Sequence, residues 1–122
     1  MPLNKRKLGG KYEQIAADFL ERMGYNIICR NFRTRTGEAD IVAWDHGTLV
    51  FAEVKYRRNL DYGSPAESVD ARKQQKIIAV SKFFVTYYRP GYGGRPIRYD
   101  VVEIVGDKIR VLKGCFGADG SM

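Results

Sequence analysis

Between Gly37 and Lys55 the sequence reads GEADIVAWDHGTLVFAEVK, two apolar runs joined across Asp45, His46 and Gly47, each interrupted by charge where a buried strand ordinarily carries none. Runs rich in Val, Ile, Phe, Trp and Leu with a glycine at the join describe a β-hairpin over residues 38–45 and 48–55. Ala39, Ile41 and Ala43 alternate with Val42 and Trp44, and Val50, Ala52 and Val54 alternate with Leu49 and Phe51. Both faces are therefore apolar, and the pair belongs in the centre of a sheet covered on both sides. No other stretch restricts the fold as much.

A two-residue His46-Gly47 loop sets Asp45 against Thr48, which carries Asp40 opposite Glu53 and Glu38 opposite Lys55. With side chains alternating at period two, all four are expected on one face near one end of the hairpin. A three-residue loop with a bulge would shift every partner by one place. Glu38 against Lys55 is an ordinary cross-strand ion pair. Asp40 against Glu53 is not, because like charges about 5 Å apart repel by about 3 kcal/mol at an effective dielectric of about 20. A positive group should stand between them. A hard divalent cation such as Mg²⁺, with Mn²⁺ as a substitute, takes oxygen ligands, retains waters and leaves positions open for a phosphate. Lys55 would then orient an attacking water or offset charge developing on the phosphate. The other reading is a set of edge charges paired at the surface.

The length of 122 residues predicts a single domain, 1–122, large enough for a proper core. A formal net charge of +7 and a pI near 9.5 favour an anionic partner, with nucleic acid first. No long apolar span or charged-then-apolar leader is present, so neither a membrane helix nor a secretory signal is expected, and a cytoplasmic location follows by default. Cys29 and Cys115 lack the spacing of a zinc site or redox pair and read as free thiols. His46, the one histidine, sits in the hairpin turn, which leaves no Ser-His-Asp or Cys-His arrangement. Hydrolysis would have to rest on carboxylates, lysine and metal.

Residues 1–10 form a basic leader expected to be flexible. Apolar residues from Tyr12 to Met23 recur at helical spacing, predicting an amphipathic helix over 11–23 stopped by Gly24. Glu13 beside that stripe reads either as a favourable charge at a helix start or as a further carboxylate facing the hairpin. Residues 25–30 read as a first strand, followed by the basic segment 30–35. Its Arg33 and Arg35, with Arg57 after the hairpin, suit phosphate contacts, the alternative being a solvated loop. Ser64-Pro65-Ala66-Glu67 fits a capping box, Asp70 is a second N-cap, and the helix they open is expected to run to about Tyr88. Lys73 and Gln74 in its first turns are candidates for nucleic-acid contact, and Lys76 reads as solvated surface. Residues 97–105 and 108–113 look like two last strands joined at Gly106-Asp107, with a frayed tail over 114–122. The order is helix, three strands, helix, two strands, an α/β domain with a mixed sheet of about five strands flanked by helices.

Glu38-Ala39-Asp40, the run Phe51-Ala52-Glu53-Val54-Lys55 and a preceding helix bearing Glu13 together resemble the PD-(D/E)xK nuclease superfamily. More narrowly, the stretch from Gly9 to Arg57, with Lys73-Gln74 and Arg98-Tyr99-Asp100-Val101-Val102, resembles the small bacterial YraN-type family, related to archaeal Holliday-junction resolvases. Ala39 stands where the motif name has proline. The resemblance implies a restriction-endonuclease-like fold, Asp40 and Glu53 as metal ligands, Lys55 as the motif lysine and Glu13 as an additional active-site carboxylate. It leaves Glu38 without a defined role. The function expected is a metal-dependent DNA endonuclease, with branched or Holliday-junction DNA as one substrate. Paired nicks in a junction would call for a homodimer. The alternative is a nucleic-acid-binding module that keeps the fold and does no chemistry, and a third reading is a basic protein that docks on an acidic protein partner.

Overall fold

In the computed structural model of the protein, residues 5–58 and 71–116 are described. The elements are α1 (Lys5–Arg22), β1 (Asn26–Arg33), β2 (Glu38–Asp45), β3 (Thr48–Arg57), α2 (Ala71–Phe83), a π-helical turn (Phe84–Tyr88), a short 3-10 turn (Pro90–Tyr92), β4 (Ile97–Val105) and β5 (Lys108–Phe116). The five strands form one sheet in the order β1-β2-β3-β4-β5. Every neighbouring pair is antiparallel except β3 and β4, which are parallel and joined through α2. A parallel pair needs such a crossover, and the helix it contains covers one face of the sheet. The α/β class, the mixed sheet and the two flanking helices are as expected.

The central hairpin has the anticipated register, from Asp45↔Thr48 to Ile41↔Ala52. His46 and Gly47 both take positive φ, 51° and 86°, the twist that a two-residue turn between antiparallel strands demands. Two cores result. Val42, Leu49, Phe51, Tyr99 and Val101 pack with Ile77, Val80 and Phe84, while Ile41, Ala43, Val50, Ala52 and Val102 pack with Ala16, Ala17 and Leu20 of α1.

Element ends differ from the sequence expectation where apolar spacing is silent. The first helix begins at Lys5 instead of residue 11, because its opening turns carry no apolar stripe for periodicity to register. Strand β1 continues to Arg33, so that arginine lies on a strand and not in a loop. Strand β5 continues to Phe116. The second helix gives way to a π turn at Phe84, and Tyr88 is exposed. The capping box at 64–67 and the second N-cap at Asp70 lie outside the described residues, as does the tail beyond 116. Among the described residues no helix is long and apolar enough to cross a membrane.

At the turn end of the hairpin, Arg98 gathers buried acids. It donates to Asp45 Oδ2 at 2.7 Å, to both carboxylate oxygens of Asp100 at 2.8 and 2.9 Å, and to the Tyr25 hydroxyl at 2.8 Å. Burial works against ionisation of Asp45, but Arg98, His46 and Lys113 hold its pKa down at about 2. This network ties α1's exit, the hairpin turn and β4 together, and leaves the other end of the hairpin open.

Candidate active site

The β2–β3 ladder ends at Ile41 and Ala52, whereas β1 and β2 stay paired as far as Arg33↔Glu38. Strand β2 thus parts from β3 and remains with β1. In the gap, the Asp40 carboxylate takes up the next amide, as Val54 N–H donates to Asp40 Oδ2 at 2.8 Å.

The pleat also reverses here. Ala39 packs with the α2 cluster and Ile41 with the α1 cluster, although residues two apart on a regular strand share a face. Strand β1 does the same opposite it. Arg30 donates to Gln14 of α1 at 2.6 Å, Phe32 packs against the α2 cluster, and Asn31 between them has a φ of 55°. Asparagine is among the few side chains that tolerate this left-handed backbone. Turned so that its nitrogen faces Glu13, the Asn31 amide donates to that carboxylate at 2.6 and 3.2 Å.

This paired kink corrects the single shared face expected of the four hairpin residues. Asp40 lines a cleft of about 520 Å³ on the α1 side, with Tyr12, Glu13, Asn31, Val54 and Tyr56 among its walls. Glu53 lines a cleft of about 480 Å³ on the α2 side, with Gly37, Arg72, Lys73 and Lys76. Glu38 borders both clefts. The expected Glu38–Lys55 ion pair is absent, because the ladder that would bring them together has ended. Glu38 instead accepts from Arg33 Nε, its β1 partner, at 2.9 Å.

Electrostatically the carboxylates remain one group. Glu53 is 4% exposed, and burial, then the charge of Asp40, raises its pKa to about 7. Burial also raises Asp40, with Glu38 adding to it and the Val54 amide opposing. Glu13 is raised by burial and by Asp40. Like charge accumulates at this end of the hairpin, although the two carboxylates open to different clefts. The cation beside Glu53 is Lys73, with Nζ at 3.2 Å from Oε2. Lys55, half-buried, has its pKa lowered by burial and by a hydrogen bond to Lys73. Burial alone would lower Lys73 too, but the contact with Lys55 and the charge of Glu53 raise it.

Of the residues expected to touch nucleic acid, Lys73 is thus engaged with Glu53. Arg33 is exposed and paired with Glu38, Arg35 is exposed in the β1–β2 connection, and Arg57 is half-buried at the end of β3. Gln74 is buried, which takes it off the contact surface expected of it. Sequence reasoning missed the left-handed backbone at Asn31 and the Tyr12–Tyr56 stack, centroids 3.9 Å apart, beside Asp40. The position of Tyr56, one step past Lys55 on the same strand, was the available signal for the second.

Among the described residues no three His, Cys, Asp or Glu side chains are gathered closely enough to hold a metal ion by themselves. Asp40, Glu53 and Glu13 offer carboxylate oxygens, the donor type of a hard cation that keeps part of its water shell, provided Lys73 releases Glu53. Asp40 and Glu53 match a hard cation in donor type, although they open to different clefts, and Glu13 lies on the Asp40 side.

The model of the uncharacterised protein family UPF0102 matches residues 12–104, a span that runs from α1 into β4 and includes the whole candidate site. A UPF0102 protein of Lachnoclostridium phytofermentans is 42% identical over 98% of this chain and 100% of its own length. One from Symbiobacterium thermophilum is 46% identical over 81% of this chain and 82% of its own, and one from Persephonella marina 39% identical over 91% and 94%. With relatives this similar along nearly their whole length, the chain belongs to the uncharacterised protein family UPF0102.

Proposed function

We propose that this protein is a divalent-cation-dependent phosphodiesterase acting on DNA, with Asp40 and Glu53 holding Mg²⁺, or Mn²⁺ in its place. The observation that carries the reading is the pair of acidic side chains at the gap between β2 and β3, both with raised pKa, set beside two lysines and open to clefts on both faces. Such frustration is characteristic of sites built to receive a cation. When bound, the ion would polarise a phosphate and acidify a water. Lys55 orients that water and offsets charge developing on the phosphate, and Glu13 anchors the α1 side of the site through Asn31. Arg33, Arg35 and Arg57 contact the backbone of the nucleic acid, with Lys73 joining them on leaving Glu53. The resemblance to Holliday-junction resolvases makes branched DNA the first substrate to try, and a homodimer the assembly that paired nicking would need.

Cleavage of linear and branched DNA with Mg²⁺ or Mn²⁺ tests this. The parent should cut only with the ion, and Asp40→Ala and Lys55→Ala should each lose at least about a hundredfold in rate. Equal rates for the variants would remove those residues from the mechanism.

One observation favours a second reading. The Lys73–Glu53 contact supplies counter-charge without a metal, as a non-catalytic binding module would require. That reading predicts DNA binding with no cleavage under any ion. The enzyme predicts cleavage that Glu53→Gln abolishes while binding persists.

A further inference from the structure

The end of α2 and the π turn after it expose three aromatic rings, Phe83 and Tyr88 at 44% and Tyr87 at 72%. They are contiguous. Phe83 lies 5.0 Å from Tyr87, and Phe32 of β1 lies 6.3 Å from Phe83 and 5.1 Å from Tyr88. Beneath them Phe32 meets the fully buried Phe84 edge-on at 5.1 Å, so the exposed rings stand on a packed base. A contiguous exposed apolar surface of this kind marks an interaction site.

Its surroundings identify the partner. From Ala71 to Arg98 the chain carries seven basic residues and no Asp or Glu. The Arg89 guanidinium lies 4.5 Å over the Tyr88 ring, and Lys82 is exposed next to Phe83. A second copy of this chain docking here through a two-fold axis would set this wholly basic element against itself. A polyanion bearing flat rings complements both features. Phe32 packs on the same side of the sheet as α2, the side on which Glu53 and Lys73 line their cleft. Along α2, Phe83 lies ten residues, about 15 Å, from Lys73.

We propose that this surface binds an unpaired DNA strand, with bases stacked on Phe83, Tyr87 and Tyr88 and phosphates met by Lys82 and Arg89. Duplex DNA buries its base faces and cannot use the rings. The inference rests on the proposed phosphodiesterase reading in one respect, that the strand leads towards Asp40 and Glu53. The substrate it implies is DNA with a single-stranded arm or an opened branch.

Fluorescence anisotropy on the full chain, with chelator present and no divalent ion, tests this against three short labelled probes. These are a thymidine oligonucleotide, an abasic oligonucleotide of equal length and a duplex. The thymidine strand should bind more tightly than the abasic one. Phe83→Ala and Tyr87→Ala should each weaken the thymidine strand by about tenfold, with Tyr87→Phe like the parent and duplex binding changed less than about twofold. Equal losses on all three probes, or no loss, would overturn the proposal. So would conversion of a dimer to a monomer by Tyr87→Ala in sedimentation with thymidine binding unchanged, which would make the patch a subunit contact. The carboxylates are untouched and no ion is present, so failure here leaves the cleavage prediction standing, and failure of cleavage leaves this binding result standing.

Discussion

Replacing Glu53 by glutamine removes a carboxylate that the fold holds protonated well above the pH at which a free glutamate ionises. Burial first, then the charge of Asp40, raises its pKa from 4.5 to about 7. Because the folded value exceeds the unfolded one, the stability linked to this group is fully present below its ordinary value and is lost as pH rises through about 7. Full ionisation of the parent therefore removes about 3 kcal/mol, at about 1.4 kcal/mol per tenfold change in proton affinity. The amide would keep the shape without the charge and escape that loss. The counter-charge of Lys73, 3.2 Å from Glu53, is already contained in that value. The net expectation is that Glu53→Gln is more stable than the parent by about 2–3 kcal/mol at about pH 8.5 and equal to it within about 0.5 kcal/mol at about pH 4. Urea unfolding followed by the fluorescence of Trp44, the single tryptophan, reads both values. A variant less stable than the parent at both pH values would show instead that the Glu53–Lys73 pair is a net stabiliser with no accumulated like charge to relieve.

Other expectations follow from the same geometry. Asn31→Ala should destabilise by about 1–2 kcal/mol in urea unfolding, because alanine tolerates the 55° φ less well and leaves Glu13 without its donor, whereas Asn31→Gly should recover the backbone part. Gly37→Ala should cost about 1 kcal/mol, since its new methyl would come within 3.3 Å of Lys76 Cβ and push the β1–β2 connection off α2. Arg98→Met should cost about 3 kcal/mol or more at neutral pH by removing the guanidinium that buried Asp45 and Asp100 share. As Asp45 has its pKa held down at about 2, its share of that stability is present above its ordinary value of 3.8 and fades as pH falls towards 2, so the deficit should narrow in acid. For DNA binding, Arg35→Ala should reduce the slope of log affinity against log salt by about 1 and weaken all sequences alike.

The hairpin and its register were legible because the apolar alternation of residues 41–44 and 49–52 and the His46-Gly47 turn act locally, and each restricts the pairing. The crowding of acids at one end followed from that register. The reversal of the pleat at Asp40 was not legible, since it is matched by left-handed backbone at Asn31 on the neighbouring strand, a choice that no spacing within the hairpin announces. That is why Asp40 and Glu53 face different clefts and why Glu38 pairs with Arg33 instead of Lys55. Lys73 was singled out as a contact for nucleic acid by its place at the start of a helix. Its contact with Glu53 depends on how α2 lies across β3, which only tertiary packing decides.

The most direct test of the central claim is calorimetric titration of Mn²⁺ into the parent and into Glu53→Gln, in two buffers of different ionisation enthalpy near pH 7. Binding to the parent should release a substantial fraction of a proton, as the ion displaces the proton that Glu53 holds near its pKa of about 7, and binding should weaken at least about tenfold in Glu53→Gln. Equal affinity in both proteins, or binding to the parent without proton release, would contradict it.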